Sequence, residues 1–316
     1  MKNRVLGVAV ALALLAPPLF TNNPFFLHLL IMVLFSTLLG VAWNLLGGYA
    51  GQVSFGHSAF LGVGAYATLL LHLKFGWSPW PGMLVGAGLA ALMALPIGLI
   101  CFRLRGPYFS LATLAVAEIV RLVALNWESL TAGPQGLLIT HLPALNLVGR
   151  AVNWESKVPF YYLIAVLTLL AMGLTYYVSQ SRLGAYLLAV REDMDSAEAV
   201  GIDTVRVRVV VLALSAALVG LAGGFYGMYF RYIDPDAVFS VALSIEMVFI
   251  AVVGGIATTG GPIVGAIFLV TISEIFRARF QSGHLIFYGL FMMLAIRYLP
   301  EGIWGRLRLM LRLSGR

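Results

Sequence analysis

From Val5 to Leu73 the chain carries no Asp, Glu, Lys or Arg. A helix needs about 20 apolar residues to cross the hydrocarbon of a bilayer, so this run has room for three crossings. The remainder is of the same kind. Of 316 residues, 61% are hydrophobic and 10% are charged, against about half apolar and a quarter charged in soluble domains. No soluble fold of this size buries so much apolar surface. The apolar runs are continuous and not alternating, which predicts helices and excludes a membrane β-barrel.

The net charge of +7 would raise nucleic acid as a partner for a soluble protein. Here the basic residues fall between apolar spans, where the positive-inside rule accounts for them. Cys101 is the single cysteine, so no internal disulfide forms and a thiolate metal site is not expected. Lys2 and Arg4 followed by an apolar stretch have the layout of a secretory signal, but Ala16-Pro17-Pro18 lacks a clean cleavage pattern. The expectation is a retained first helix.

Ten spans are predicted, at about 5–20, 25–46, 54–73, 80–102, 107–126, 158–179, 208–230, 241–255, 262–276 and 284–299. With the N-terminus inside, Lys and Arg in the connections and tails divide about two to one in favour of the cytoplasmic side, which places both termini inside. Trp77, Trp80, Trp127 and Trp154 then fall at outer boundaries, as an aromatic belt requires. One membrane domain over 1–316 is expected, with an outer connection at 127–157 and a charged inner loop at 181–207.

Two features interrupt the apolar pattern. Gly47-Gly48-Tyr49-Ala50-Gly51-Gln52 precedes a small-residue span, and Gly254-Gly255 with Gly260-Gly261-Pro262 precedes another. Transporters with repeated halves place such breaks at the substrate site; close helix packing through small faces is the alternative. The inner loop is the most charged part of the chain. It reads as a helix over 185–190, then a short helix over 196–200 capped by Asp193 or Asp195 and ended by Gly201. Ala197, Ala199 and Val200 have no role in crossing the membrane and are suited to a partner's groove.

Ionisable residues within spans are functional candidates by default. Glu118 and Arg121 share a helix face and are expected to pair, as are Glu274 and Arg277. Glu246 either faces a pathway or bonds a neighbouring helix, and His57 sits at the first break. No His/Cys/Asp/Glu cluster has metal-ligand spacing. No Ser–His–Asp arrangement is legible either.

Leu46-Gly47-Gly48-Tyr49-Ala50-Gly51-Gln52-Val53-Ser54-Phe55-Gly56-His57-Ser58-Ala59-Phe60 resembles the signature of bacterial branched-chain amino acid ABC permeases. Arg103-Leu104-Arg105-Gly106-Pro107-Tyr108-Phe109-Ser110-Leu111-Ala112-Thr113-Leu114-Ala115 resembles the LivM-type member and not its LivH-type sister. The Glu192-Asp193 to Gly201-Ile202 stretch is similar to the family's coupling segment, and the second glycine break matches a further motif.

The resemblance implies a multi-pass permease of the bacterial inner membrane. It would pair with a LivH-like permease, take leucine, isoleucine or valine from a substrate-binding protein, and be driven by two ATP-binding subunits. Coupling to those subunits falls to Arg191, Glu192, Asp193, Ala197, Val200 and Gly201. The pathway candidates are Gly51, Gln52, Ser54, Gly56, His57, Glu246 and Gly260. No cofactor is expected on this chain. It has no Gly-x-x-x-x-Gly-Lys-Ser/Thr loop, so ATP and Mg belong to the partner subunits. Urea, short amides and other amino acids are alternative substrates within the same family. An ATPase-independent channel or carrier would not need the charged loop, and a membrane enzyme would need clustered polar residues that the sequence lacks.

Overall fold

Asn23 caps the first long helix by accepting a hydrogen bond from the Phe25 amide at 2.9 Å, with Pro24 at the first helical position. The computed structural model describes residues 17–20, 23–143, 145–147, 150–152, 154–280, 289, 290, 293, 294, 297 and 302–306. The helices that build the fold are α1 (Pro24–Asn44), α2 (His57–Phe75), α3 (Pro79–Cys101), α4 (Pro107–Asn126) and α5 (Lys157–Gln180). After them come α6 (Arg182–Glu192), α7 (Met194–Ala199), α8 (Thr204–Phe230), α9 (Val241–Gly254) and α10 (Gly261–Phe280).

Among the described residues, eight helical segments are long and apolar enough to cross a membrane. They correspond to the second through ninth expected spans. The first and tenth lie largely outside the described residues. The chain is thus an all-α, multi-pass membrane protein. One boundary is corrected: the seventh expected span begins at Thr204 and not at 208. The Asp203 carboxylate accepts from the Arg206 amide at 2.9 Å and starts the helix a turn earlier. Arg208 is therefore inside a helix and only 2% exposed, with its guanidinium 5.0 Å from the Phe102 ring centre.

The centre of the bundle is a three-helix block of α2, α3 and α8, held at backbone contact by glycine. A Cβ on Gly64 would strike the Gly220 carbonyl, and one on Gly223 would strike the Leu61 carbonyl. In lipid no hydrophobic force draws helices together, so close backbone approach through small residues supplies the dispersion energy. A second layer, α1, α9 and α10, packs beside it, with Ile250 seated against Gly40.

The two ends of the bundle differ in chemistry. At one end, Trp80 and Trp154 rings lie 4.0 Å apart. There Lys74 donates to the Ser129 carbonyl and Lys157 to that of Pro24. The 127–157 connection is tied down here by a two-residue antiparallel ladder, Leu137 opposite Ile233 and Leu138 opposite Tyr232. Glu118 and Arg121 form the expected pair, and Arg121 also bonds Asp236, fastening α4 to the segment before α9. The other end carries α6 and α7, with Arg105 bridging to Asp195 at 3.0 Å.

The glycine contact predicts that Gly64→Val lowers stability by about 1–3 kcal/mol through overpacking. Gly88→Ala, which meets open space, should leave it unchanged. Thermal unfolding of the detergent-solubilised protein measures both, and equal melting temperatures would refute the packing account.

Candidate functional site

The first glycine break is a π-helical turn, Leu45–Tyr49, that continues α1 and then unwinds over 50–56. Unwinding frees backbone groups that lipid cannot satisfy, and side chains answer them one by one. Trp43 Nε1 donates to the Ser54 carbonyl at 2.8 Å, and Ser110 Oγ donates to that of Val53 at 2.6 Å. Thr113 Oγ1 accepts from the Phe55 amide at 3.1 Å. Gly51 sits at φ +68°, a conformation that strains any residue with a Cβ.

The second break, 255–260, is stitched to the first by one side chain. Asn44 Oδ1 accepts from the Ala257 amide at 3.0 Å, and its Nδ2 donates to the Thr258 carbonyl at 2.9 Å. Thr258 closes the turn by donating to the Gly255 carbonyl and accepting from the Gly261 amide. Gly260 faces the Trp304 indole. The two breaks, more than 200 residues apart in sequence, are thus adjacent at one end of the bundle.

The charged hairpin reaches the same place. Arg191 Nη1 donates to the Gly48 carbonyl at 2.9 Å, and a Cβ on Gly51 would come within 3.0 Å of Arg191 Cγ. Asp193 is the cap of α7; its Oδ1 accepts from the Ser196 amide at 2.9 Å. That backbone hydrogen bond holds the Asp193 carboxyl below its usual range. The cap is therefore intact at neutral pH and is lost only as pH falls through this lowered value. Helix α7 begins two residues earlier than expected because Asp193, and not Asp195, caps it.

Gly201, at φ +86°, ends α7 with Gly201 N–H donating to Glu198 O and Ile202 N–H to Ala197 O, a Schellman closure. Ala197 packs inward at 3% exposure, whereas Val200 stands out at 77%. Glu192 is also exposed.

His57 lies in a closed network. Ser215 Oγ donates to the Ala42 carbonyl at 2.6 Å and so accepts from His57 Nε2 at 2.9 Å. Ser54 Oγ accepts from the Gly56 amide and donates to His57 Nδ1 at 3.0 Å. This pattern assigns the neutral ring with its proton on Nε2. The ring is fully buried and links α1, α2 and α8. Gln52 is held by its backbone amide on the Leu46 carbonyl. Glu246 is apart from all of these. It lines a cavity of about 310 Å³ toward the opposite end, with His28, Ser36, Ser273, Glu274 and Arg277.

The structure thus brings together Gly51, Gly260's loop and Arg191, and leaves Ser54, Gly56 and His57 in a neighbouring buried cluster. Asn44 and Ser215 were missed. Asn44 had a legible signal, an amide inside an apolar run, which must find partners within the protein. Ser215 had none, since its partner is 158 residues away.

A multi-pass helical membrane protein with two interrupted spans is the class that this bundle defines. A family profile described as branched-chain amino acid transport system / permease component matches residues 25–296. The chain belongs to that family and is of the LivM type. It is 28% identical over 298 residues to the high-affinity branched-chain amino acid transport system permease protein LivM of Escherichia coli K12, covering 88% of this chain and 69% of that one. To LivH of the same organism it is 26% identical, covering 85% and 91%. To a probable LivM of Methanocaldococcus jannaschii it is 21% identical, covering 84% and 89%. These relatives are permease proteins, and this chain is a transport subunit and not an enzyme.

Asn44→Ala should leave the Ala257 amide and Thr258 carbonyl without partners. Loss of two such bonds costs about 1–3 kcal/mol locally, which speeds amide exchange through 255–261 about tenfold or more. Hydrogen-exchange mass spectrometry reads this directly. Unchanged exchange would show that Asn44 does not hold the second break.

Proposed function

We propose that this chain is the membrane-spanning permease subunit of an ATP-driven importer of leucine, isoleucine and valine. It forms the translocation pathway with a LivH-like permease in the cytoplasmic membrane, with both termini on the cytoplasmic side. A substrate-binding protein delivers the amino acid, and two ATPase subunits carry ATP and Mg. The membership of the family supports the class of cargo. The observation that carries the mechanism is the Arg191–Gly48 hydrogen bond, which joins the charged hairpin to the first glycine break.

The hairpin is built to receive a partner. Between α6 and α8 lies a groove of about 500 Å³ lined by Leu183, Tyr186, Val200, Ile202, Arg206 and Val210. Val200 and Tyr186 line it and stand exposed, and Arg191, Glu192 and Asp193 are exposed on the same hairpin. An ATPase subunit seated there and moving on nucleotide binding displaces α6 and α7. Arg191 passes that displacement to the Gly48 carbonyl, and Asn44 passes it on to 257–258. Gly51 and Gly260 line the moving region, and backbone at positive φ or in contact with indole leaves no room for a larger residue there.

Reconstitution with the partner permease, both ATPase subunits and the binding protein tests the reading. ATP-dependent uptake of leucine, isoleucine and valine is expected, against little uptake of urea or short amides; a reversed preference overturns the substrate. Combined Arg191→Glu, Glu192→Lys and Asp193→Lys should abolish uptake while ATP hydrolysis continues. Normal uptake by that variant would dismiss the hairpin as the coupling element. Gly51→Leu should stop transport in a complex that still assembles.

A further inference from the structure

A carboxylate within a membrane span is costly unless something pairs with it. Glu246 sits in α9, and among the described residues it makes no hydrogen bond or ion pair. Its cavity is lined by α1, α9, α10 and the end of α8, away from the glycine breaks. Its polar lining is Ser36, Ser273 and the Glu274–Arg277 pair, which is loose at 3.8 Å, with the arginine largely exposed at the cavity's mouth. His28 is committed to Tyr229, with Nδ1 2.6 Å from its hydroxyl. Leu29, Met32, Leu269 and Val270 complete the lining with apolar side chains. The volume of about 310 Å³ lies at the lower end of small-molecule sites, about 300–1,000 Å³.

From this combination we propose that the cavity is a transit site for the amino acid itself, with the ammonium group on the Glu246 carboxylate. The Arg277 guanidinium meets the substrate carboxylate, and the branched side chain lies against Met32 and Leu269. The inference rests on the importer reading and adds what that reading lacks, a place in the membrane that distinguishes an amino acid from an uncharged solute. A neutral molecule such as urea leaves Glu246 unpaired in the cavity, which penalises its passage. A basic side chain of the partner permease is the competing occupant.

The test uses the assembled transporter with Cys101→Ser to remove the native thiol and Ser273→Cys as a reporter in the cavity. Labelling by a small thiol reagent is timed without binding protein, with millimolar L-leucine or 4-methylpentanoate, which is leucine lacking its ammonium. Leucine should slow labelling about tenfold, the size of one charge-assisted contact, and 4-methylpentanoate should not. Adding Glu246→Gln should erase the protection. Equal protection by both compounds, or protection that survives Glu246→Gln, overturns the proposal. The comparison of the two ligands needs no change at Glu246, so it stands even if that variant fails to assemble. A reporter that labels in this chain alone but never in the assembled transporter also overturns it, because the partner permease then fills the cavity. Leucine uptake by the unsubstituted complex is measured in parallel. Its absence refutes the importer reading, whereas uptake without Glu246-dependent protection refutes the transit site alone.

Discussion

Every backbone amide and carbonyl at membrane depth must be bonded inside the protein, because lipid offers no partner. An unbroken helix meets that demand by itself. This chain breaks two helices, and its polar side chains are spent largely on the consequences. Trp43, Ser110, Thr113 and Arg191 satisfy the backbone around 48–55, and Ser244 accepts from the Ser58 amide at 2.8 Å. Asn44 and Thr258 do the same for 255–261. Buried polar residues in such a bundle are thus placed by the interruptions. Their cost is recovered only while both breaks stay in register with each other.

That dependence divides the molecule mechanically. The α2, α3 and α8 block is joined at backbone contact through Gly64, Gly220 and Gly223, and a close-packed interface resists sliding. The breaks are joined by single hydrogen bonds, each worth about 1 kcal/mol net. Motion driven by a partner therefore falls first on the breaks and leaves the block intact. The His57 network belongs to the block side, fixing α2 to α8 and to the Ala42 carbonyl of α1.

The spans were legible because hydropathy acts locally, and the eight described spans fall where the apolar runs predicted them. The boundary at Thr204 is set by the Asp203 cap, a local hydrogen bond that hydropathy does not register. Of the hairpin, the cap and the Gly201 stop were readable from residue type. The inward turn of Ala197 was not, because burial depends on which face meets α8. What the sequence could not show was adjacency. Nothing in the order of residues places Gly48 beside Arg191, or Asn44 beside Ala257, since those contacts arise only when α1, α6 and α9 converge. Glu246 stood out by its charge, but its surroundings come from four separate segments.

Asn44 fastens the second break at the end of α9 farthest from Glu246. Glu246 is eight residues before Gly254, about 12 Å along a helix rising 1.5 Å per residue. Beside Glu246 the same helix is fastened a second time, by Ser244 accepting from the Ser58 amide at 2.8 Å. A helix held at two points turns about the one that holds. With Ser244 as the pivot, yielding of the Asn44 side chain moves the Gly254 end of α9 and leaves the carboxylate close to where it stands.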